Sequence, residues 1–172
     1  MALIVEDGTG KETANSYIDV QFARAYAQSR GLPISDDDAV VEGWIVMACD
    51  YVESFAEQFK GKRKTSTQAL SWPRTDVVID GEAFPDDKIP TQLKLAQAQG
   101  VVEQSMGSEL QPPITGYAVR REKVDVIEVE YATGGGQNNT ATPTMTPTFP
   151  KILQWLRPLL RTGMMPLKAV RA

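Results

Sequence analysis

Gly8-Thr9-Gly10-Lys11 is the first place where residue types and spacing suggest chemistry, the cradling of a phosphate. A P-loop needs a glycine five positions before its second one and a Ser or Thr after its lysine. Val5 and Glu12 stand at those positions, so this loop is not of that kind. Asp80, Glu82, Asp86 and Asp87 concentrate acid in a short stretch, but their spacing does not make an EF-hand loop, and solvated loop acids explain them. The chain has no histidine, which removes Ser–His and Cys–His nucleophilic sets. Its single cysteine, Cys49, cannot close an internal disulfide and leaves a structural zinc site without ligands. Nothing selects a working pair among the 22 acids. The sequence therefore predicts no catalytic residues, no metal, no cofactor and no enzyme, and points towards binding or assembly.

Two groups of side chains remain as candidate contact surfaces. Lys60, Lys62, Arg63, Lys64 and Arg74 lie in a stretch without acid, with Trp72 among them. Such a patch can neutralise phosphates and stack a base. The competing reading is an ordinary junction in which Trp72 packs locally, Pro73 sets the chain direction and Arg74 pairs with an acid. Gln68 and Ser71 would then satisfy backbone groups of the same turn. The second group is Trp155, Arg157, Leu159, Arg161, Met164, Met165, Lys168 and Arg171, residue types enriched in protein interfaces. Its competing reading is that Trp155 and the leucines cap this chain's own core, which suits Leu156 and Leu160 best.

Charge separates these regions. The net charge is −4, yet all 22 acids lie before residue 131 and residues 131–172 carry five bases with none. A basic end on an acidic body suits docking on an acidic partner, or head-to-tail contacts between copies.

The elements that would position these residues follow from periodicity. Residues 2–5 read as a strand or docked arm. A first helix is predicted from Asp19 to Arg30, with Phe22, Ala23, Tyr26 and Ala27 inward and Gly31 and Pro33 as stops. A second is capped by Ser35 or Asp36, its core stripe running through Val41, Trp44, Ile45, Ala48, Tyr51, Val52 and Phe55. Cys49 adjoins that stripe as a small core residue. Residues 77–79 suggest a brief strand before an Asp80-Gly81 turn. A third helix starts near Pro90 and carries Leu93, Ala96, Val101 and Val102 towards Met106; Gly100 inside it asks for a closely packed neighbour. Residues 117–121 and 124–131 read as paired strands, with a bulge or bend near Val126-Ile127 where the alternation changes parity. Residues 134–148, uncharged and rich in Gly, Asn, Thr and Pro, read as a flexible loop. A last helix begins at Pro150, kinks at Pro158 and ends by Gly163.

The expected fold is mainly α (α+β): about four helices, short antiparallel strands and an extended C-terminal arm. One domain of this size is divided into a body (1–133), a loop (134–148) and a C-terminal helix with basic tail (149–172). No run of about 18 apolar residues occurs, so no membrane span is expected. The opening MALIVEDGTG lacks the basic lead of a secretory signal, and a lone cysteine suits a reducing compartment.

Three stretches carry a resemblance: LIVEDGTG followed by Ala14-Asn15-Ser16-Tyr17, the block Thr67-Gln68-Ala69-Leu70-Ser71-Trp72-Pro73-Arg74, and Glu122 through Tyr131. With the closing Val170-Arg171-Ala172, they resemble the head–tail connector adaptors of long-tailed bacteriophages, some members of which are labelled DnaT-like single-stranded-DNA-binding proteins. The resemblance implies a structural protein of the virion neck, assembled in the host bacterial cytoplasm. Its partners would be further copies of itself in a ring of typically twelve, the portal protein and the next neck or tail component. Double-stranded DNA would pass through the channel without sequence-specific binding. The alternative implied by the second label is single-stranded-DNA binding in replication or recombination.

Overall fold

The computed structural model describes residues 2–111, the strands Arg121–Val124 and Ile127–Glu130, and residues 149–161. The expected 134–148 loop, the Gly163 stop and the first part of the 117–121 strand lie outside the described residues. Contacts divide the chain into two units, Met1–Leu110 with Thr148–Ala172, and Gln111–Pro147.

The first unit is mainly helical, with short antiparallel strands, the α+β class the sequence predicts. Helix α1 (Val20–Gln28) is capped by Asp19, whose carboxylate accepts from the Phe22 amide at 2.7 Å. It ends where Gly31 turns to φ +62° and the Leu32 amide reaches back to the Ala27 carbonyl. Helix α2 (Asp38–Glu53) is capped by Asp37 rather than by Ser35 or Asp36. The Ser35 hydroxyl instead accepts from the Asp37 amide, setting up the cap one residue later. Val41, Ile45, Ala48, Cys49, Tyr51 and Val52 are buried along α2 as the spacing predicts. Trp44 and Phe55 are only half-buried at the edge of the core.

Helix α3 (Thr91–Ser105) is the hub, packing against α1, α2 and α4 (Pro150–Leu156). It buries polar as well as apolar residues, and the polar ones tie the helices together. The Gln97 amide group accepts from the Tyr17 N–H and donates to the Ser16 hydroxyl and the Ile45 carbonyl. Gln104 donates to the Trp44 carbonyl, and Gln99 accepts from the Tyr26 hydroxyl. Gly100 has the close neighbour its position asks for: a Cβ there would lie 2.9 Å from the Ala48 Cβ.

The terminal helix belongs to this core. Ile152, Leu156 and Leu159 are wholly buried, so α4 is not a free arm. The helix stops at Leu156 and tightens into a 3-10 turn, Arg157–Leu159, around Pro158, which has no N–H to continue the α pattern.

Strands are two residues long in this unit. β1 (Lys62–Arg63) pairs with β2 (Arg74–Thr75), and β3 (Val78–Ile79) with β4 (Glu82–Ala83). The β3–β4 turn uses Asp80 and Gly81, both at positive φ, as a primed hairpin turn requires. Residues 2–5 form an arm rather than a strand, held by one parallel bridge between Val5 and Ser16.

In the second unit, β5 (Arg121–Val124) and β6 (Ile127–Glu130) pair antiparallel, with Val124 opposite Ile127. The parity change therefore marks a hairpin reversal, not a bulge. Val124 belongs to the first strand of the pair instead of opening the second.

Candidate functional site

The Gln68–Arg74 block is built from the inside out around Trp72. Its ring is wholly buried, edge-on to Phe59 and Phe84 with centroids 6.0 Å away in each case, and a cis peptide joins it to Pro73. The Trp72 amide donates to the Tyr17 hydroxyl, which donates in turn to the Glu53 carboxylate at 2.5 Å. The other Glu53 oxygen accepts from both the amide and the hydroxyl of Ser71. Glu53 at the end of α2 thus anchors the loop by two direct hydrogen bonds from Ser71 and a third relayed through Tyr17. Burial, and the Glu53 charge beside it, push the Tyr17 phenol well above its ordinary pKa, so it remains a donor.

Most cations of the stretch are turned inward onto carbonyls. Arg74, 6% exposed, donates to the carbonyls of Lys60, Gly61 and Ser71 and pairs with no acid among the described residues. Burial, and Arg161 nearby, lower its pKa from the usual guanidinium value. Arg63 donates to three successive carbonyls, those of Gln68, Ala69 and Leu70, at 3.0 Å each. The Gln68 side chain donates to the Leu70 and Pro73 carbonyls, satisfying its own turn, whereas Ser71 turns to Glu53. The Lys60 ammonium reaches the Pro158 and Val78 carbonyls, and Lys64 stands 3.7 Å from Asp86. Lys62 alone of the five has an exposed side chain with no partner among the described residues. A buried indole cannot stack a base, so Trp72 is not a nucleic-acid platform in this conformation.

The C-terminal group meets the same loop. Phe59 and Leu160 form an antiparallel bridge, and the Arg161 side chain donates to the Phe59 and Gly61 carbonyls. Arg74 and Arg161 therefore converge on Gly61, although the sequence presents them as parts of separate patches. Leu159 is wholly buried, which removes it from any partner surface; Trp155 is half-buried against the core, and Arg157 is exposed. Met164, Met165, Lys168 and Arg171 lie outside the described residues.

The Gly8–Lys11 loop does gather amides around an anion, but the anion is its own. The buried Glu6 carboxylate accepts from the N–H groups of Gly8, Gly10 and Lys11 at 2.7–2.9 Å. Asp7, bonded to Thr9 and Lys11, is held down to a pKa of about 2. A Cβ on Gly8 would collide with the Asp87 carbonyl, which fixes this loop against residues 87–88. Cys49 is buried, and burial raises its thiol well above the ordinary range. Among the described residues no group of three or more His, Cys, Asp or Glu is placed to hold a metal ion, and no helix is long and apolar enough to cross a membrane.

Sequence reasoning missed Glu6, Glu53 and an open apolar face on α2. The signal for the last was present: from Ala39 to Cys49 the only charged residue is Glu42. A helix apolar all round is ordinarily a buried one. Here Val40 is 40% and Met47 53% exposed.

These features define a small, mainly helical α+β protein whose loop cations serve largely to hold its own backbone. The chain belongs to the family described as "Putative DnaT-like ssDNA binding protein", whose model matches residues 1–172. Searches of curated proteins and of solved structures found no match.

Proposed function

We propose that this chain is a structural protein of a bacteriophage virion, a head-to-tail adaptor. Copies would form a ring beneath the portal, receive the next neck or tail component and continue the DNA channel. The observation that carries this reading is the open apolar face of α2, where Val40 and Met47 stand exposed within Ala39–Cys49, a stretch whose only charged residue is Glu42. A surface of that composition suits burial against another protein. The protein transforms no substrate and holds no cofactor.

A second reading, single-stranded-DNA binding in replication or recombination, is favoured by the family description, which points to it more directly than to an adaptor. Against it stands the arrangement of residues 60–74, where Arg63 and Arg74 hold carbonyls and Trp72 is buried.

Purified protein mixed with portal rings, and in parallel with a labelled single-stranded oligonucleotide, separates the two. The adaptor reading expects added density beneath the portal in negative-stain images and little retention of the oligonucleotide. A tight oligonucleotide shift without portal binding replaces it with the second reading. An interface that neutralises about five phosphates would then lose affinity by roughly 10²- to 10³-fold as salt rises from about 50 to 200 mM.

A further inference from the structure

We propose that the exposed face of α2 receives the C-terminal segment, residues 162–172, of a second copy of this chain. The inference rests on the assembly reading above and names the surface and its occupant.

The receiving face runs along Val40, Gly43 and Met47, with Trp44 half-buried at its margin. These positions recur at three- and four-residue steps and so share one side of the helix. Gly43 has open space where a side chain would stand, leaving a shallow dip between Val40 and Met47. Acids bracket this apolar strip. Asp36 and Asp38 stand at its N-terminal end, each facing Arg24 yet widely exposed. Asp50 stands one turn beyond Met47, exposed and in no ion pair among the described residues.

The C-terminal segment has the complementary composition. Met164, Met165, Leu167 and Val170 are apolar, Lys168 and Arg171 are basic, and no acid occurs after Glu130. From Val40 to Asp50 the helix rises about 15 Å. An extended chain covers that in about five residues, the spacing that brings Met164 and Met165 over the strip when Lys168 meets Asp50. Charge favours a second copy. Residues 1–130 carry net charge −9, so two bodies repel, and a basic segment laid across the neighbour's acidic-ended helix offsets that repulsion. Each copy would give one surface and receive with another, the head-to-tail relation that closes rings.

The test uses full-length protein with p-benzoylphenylalanine in place of Met47. Equal amounts of unlabelled and nitrogen-15-labelled chains are mixed, irradiated and digested, and the joined peptides are identified by mass spectrometry. The expected result is attachment of position 47 to residues 162–172 in mixed-isotope pairs. Attachment only within chains of one isotope would mean that each tail covers its own helix, and attachment elsewhere or nowhere would remove the site; each outcome overturns the proposal. Met47→Glu should weaken self-association at least tenfold in sedimentation while leaving the unfolding temperature unchanged, because the side chain is exposed. Self-association without the 47-to-tail attachment sinks this inference and leaves the assembly reading standing. Absence of self-association at high protein concentration sinks both.

Discussion

Single side chains in this protein are read most clearly through what they hold. Trp72 lies among Phe59, Phe84 and the Tyr17–Glu53–Ser71 network, so its removal opens a cavity at the junction of the loop and α2. Trp72→Ala should destabilise the fold by about 3–5 kcal/mol, measured by chemical denaturation. Glu53→Ala strands the Tyr17 hydroxyl and the Ser71 amide, and should cost about 1–3 kcal/mol for each buried group left unpaired. Cys49 gives a test without mutation. Its buried, protonated thiol should not react with a thiol reagent in native buffer and should react fully once the chain is unfolded. The sequence indicated that Cys49 is packed and left Trp72 between a base-stacking contact and local packing, of which the fold shows the second. It did not indicate that Arg74 would choose carbonyls over an acid, because that choice depends on Lys60 and Gly61 being folded back beside it.

Among the elements, helices were legible and loop pairings were not. Asp19 before an apolar stripe marked α1, and the three- and four-residue spacing from Val41 to Val52 marked α2, because capping and periodicity are local properties. The Asp80-Gly81 turn was visible for the same reason. The β1–β2 pairing was not, since two-residue strands leave no periodicity to read. The parity change between Val124 and Ile127 was seen, but a reversal and a bulge leave the same trace in the sequence. Gly100 shows how a local anomaly can report a long-range contact: its cost to a helix makes sense only if α2 lies against it. Gly100→Ala drives a methyl to within 2.9 Å of the Ala48 Cβ, and should destabilise by about 1–3 kcal/mol in thermal or chemical unfolding.

For the whole molecule, the charge split and the buried stripe of α2 were both present in the sequence, yet only the fold shows that the other side of α2, with Val40 and Met47, stays open. Deletion of residues 163–172 should leave the unfolding temperature nearly unchanged, as the buried residues of α4 precede it, and on the adaptor proposal should abolish joining of heads to tails. Joining at normal yield by the truncated protein would contradict the role given to that segment. The placement of α4 on α3 also sets a schedule for synthesis. Helices α1 to α3 leave the ribosome well before Ile152, Leu156 and Leu159, with all of Gln111–Pro147 translated in between. During that interval the groove awaiting these three side chains stays wet, and a nascent chain stalled before Pro150 should be a ready target for proteases and chaperones.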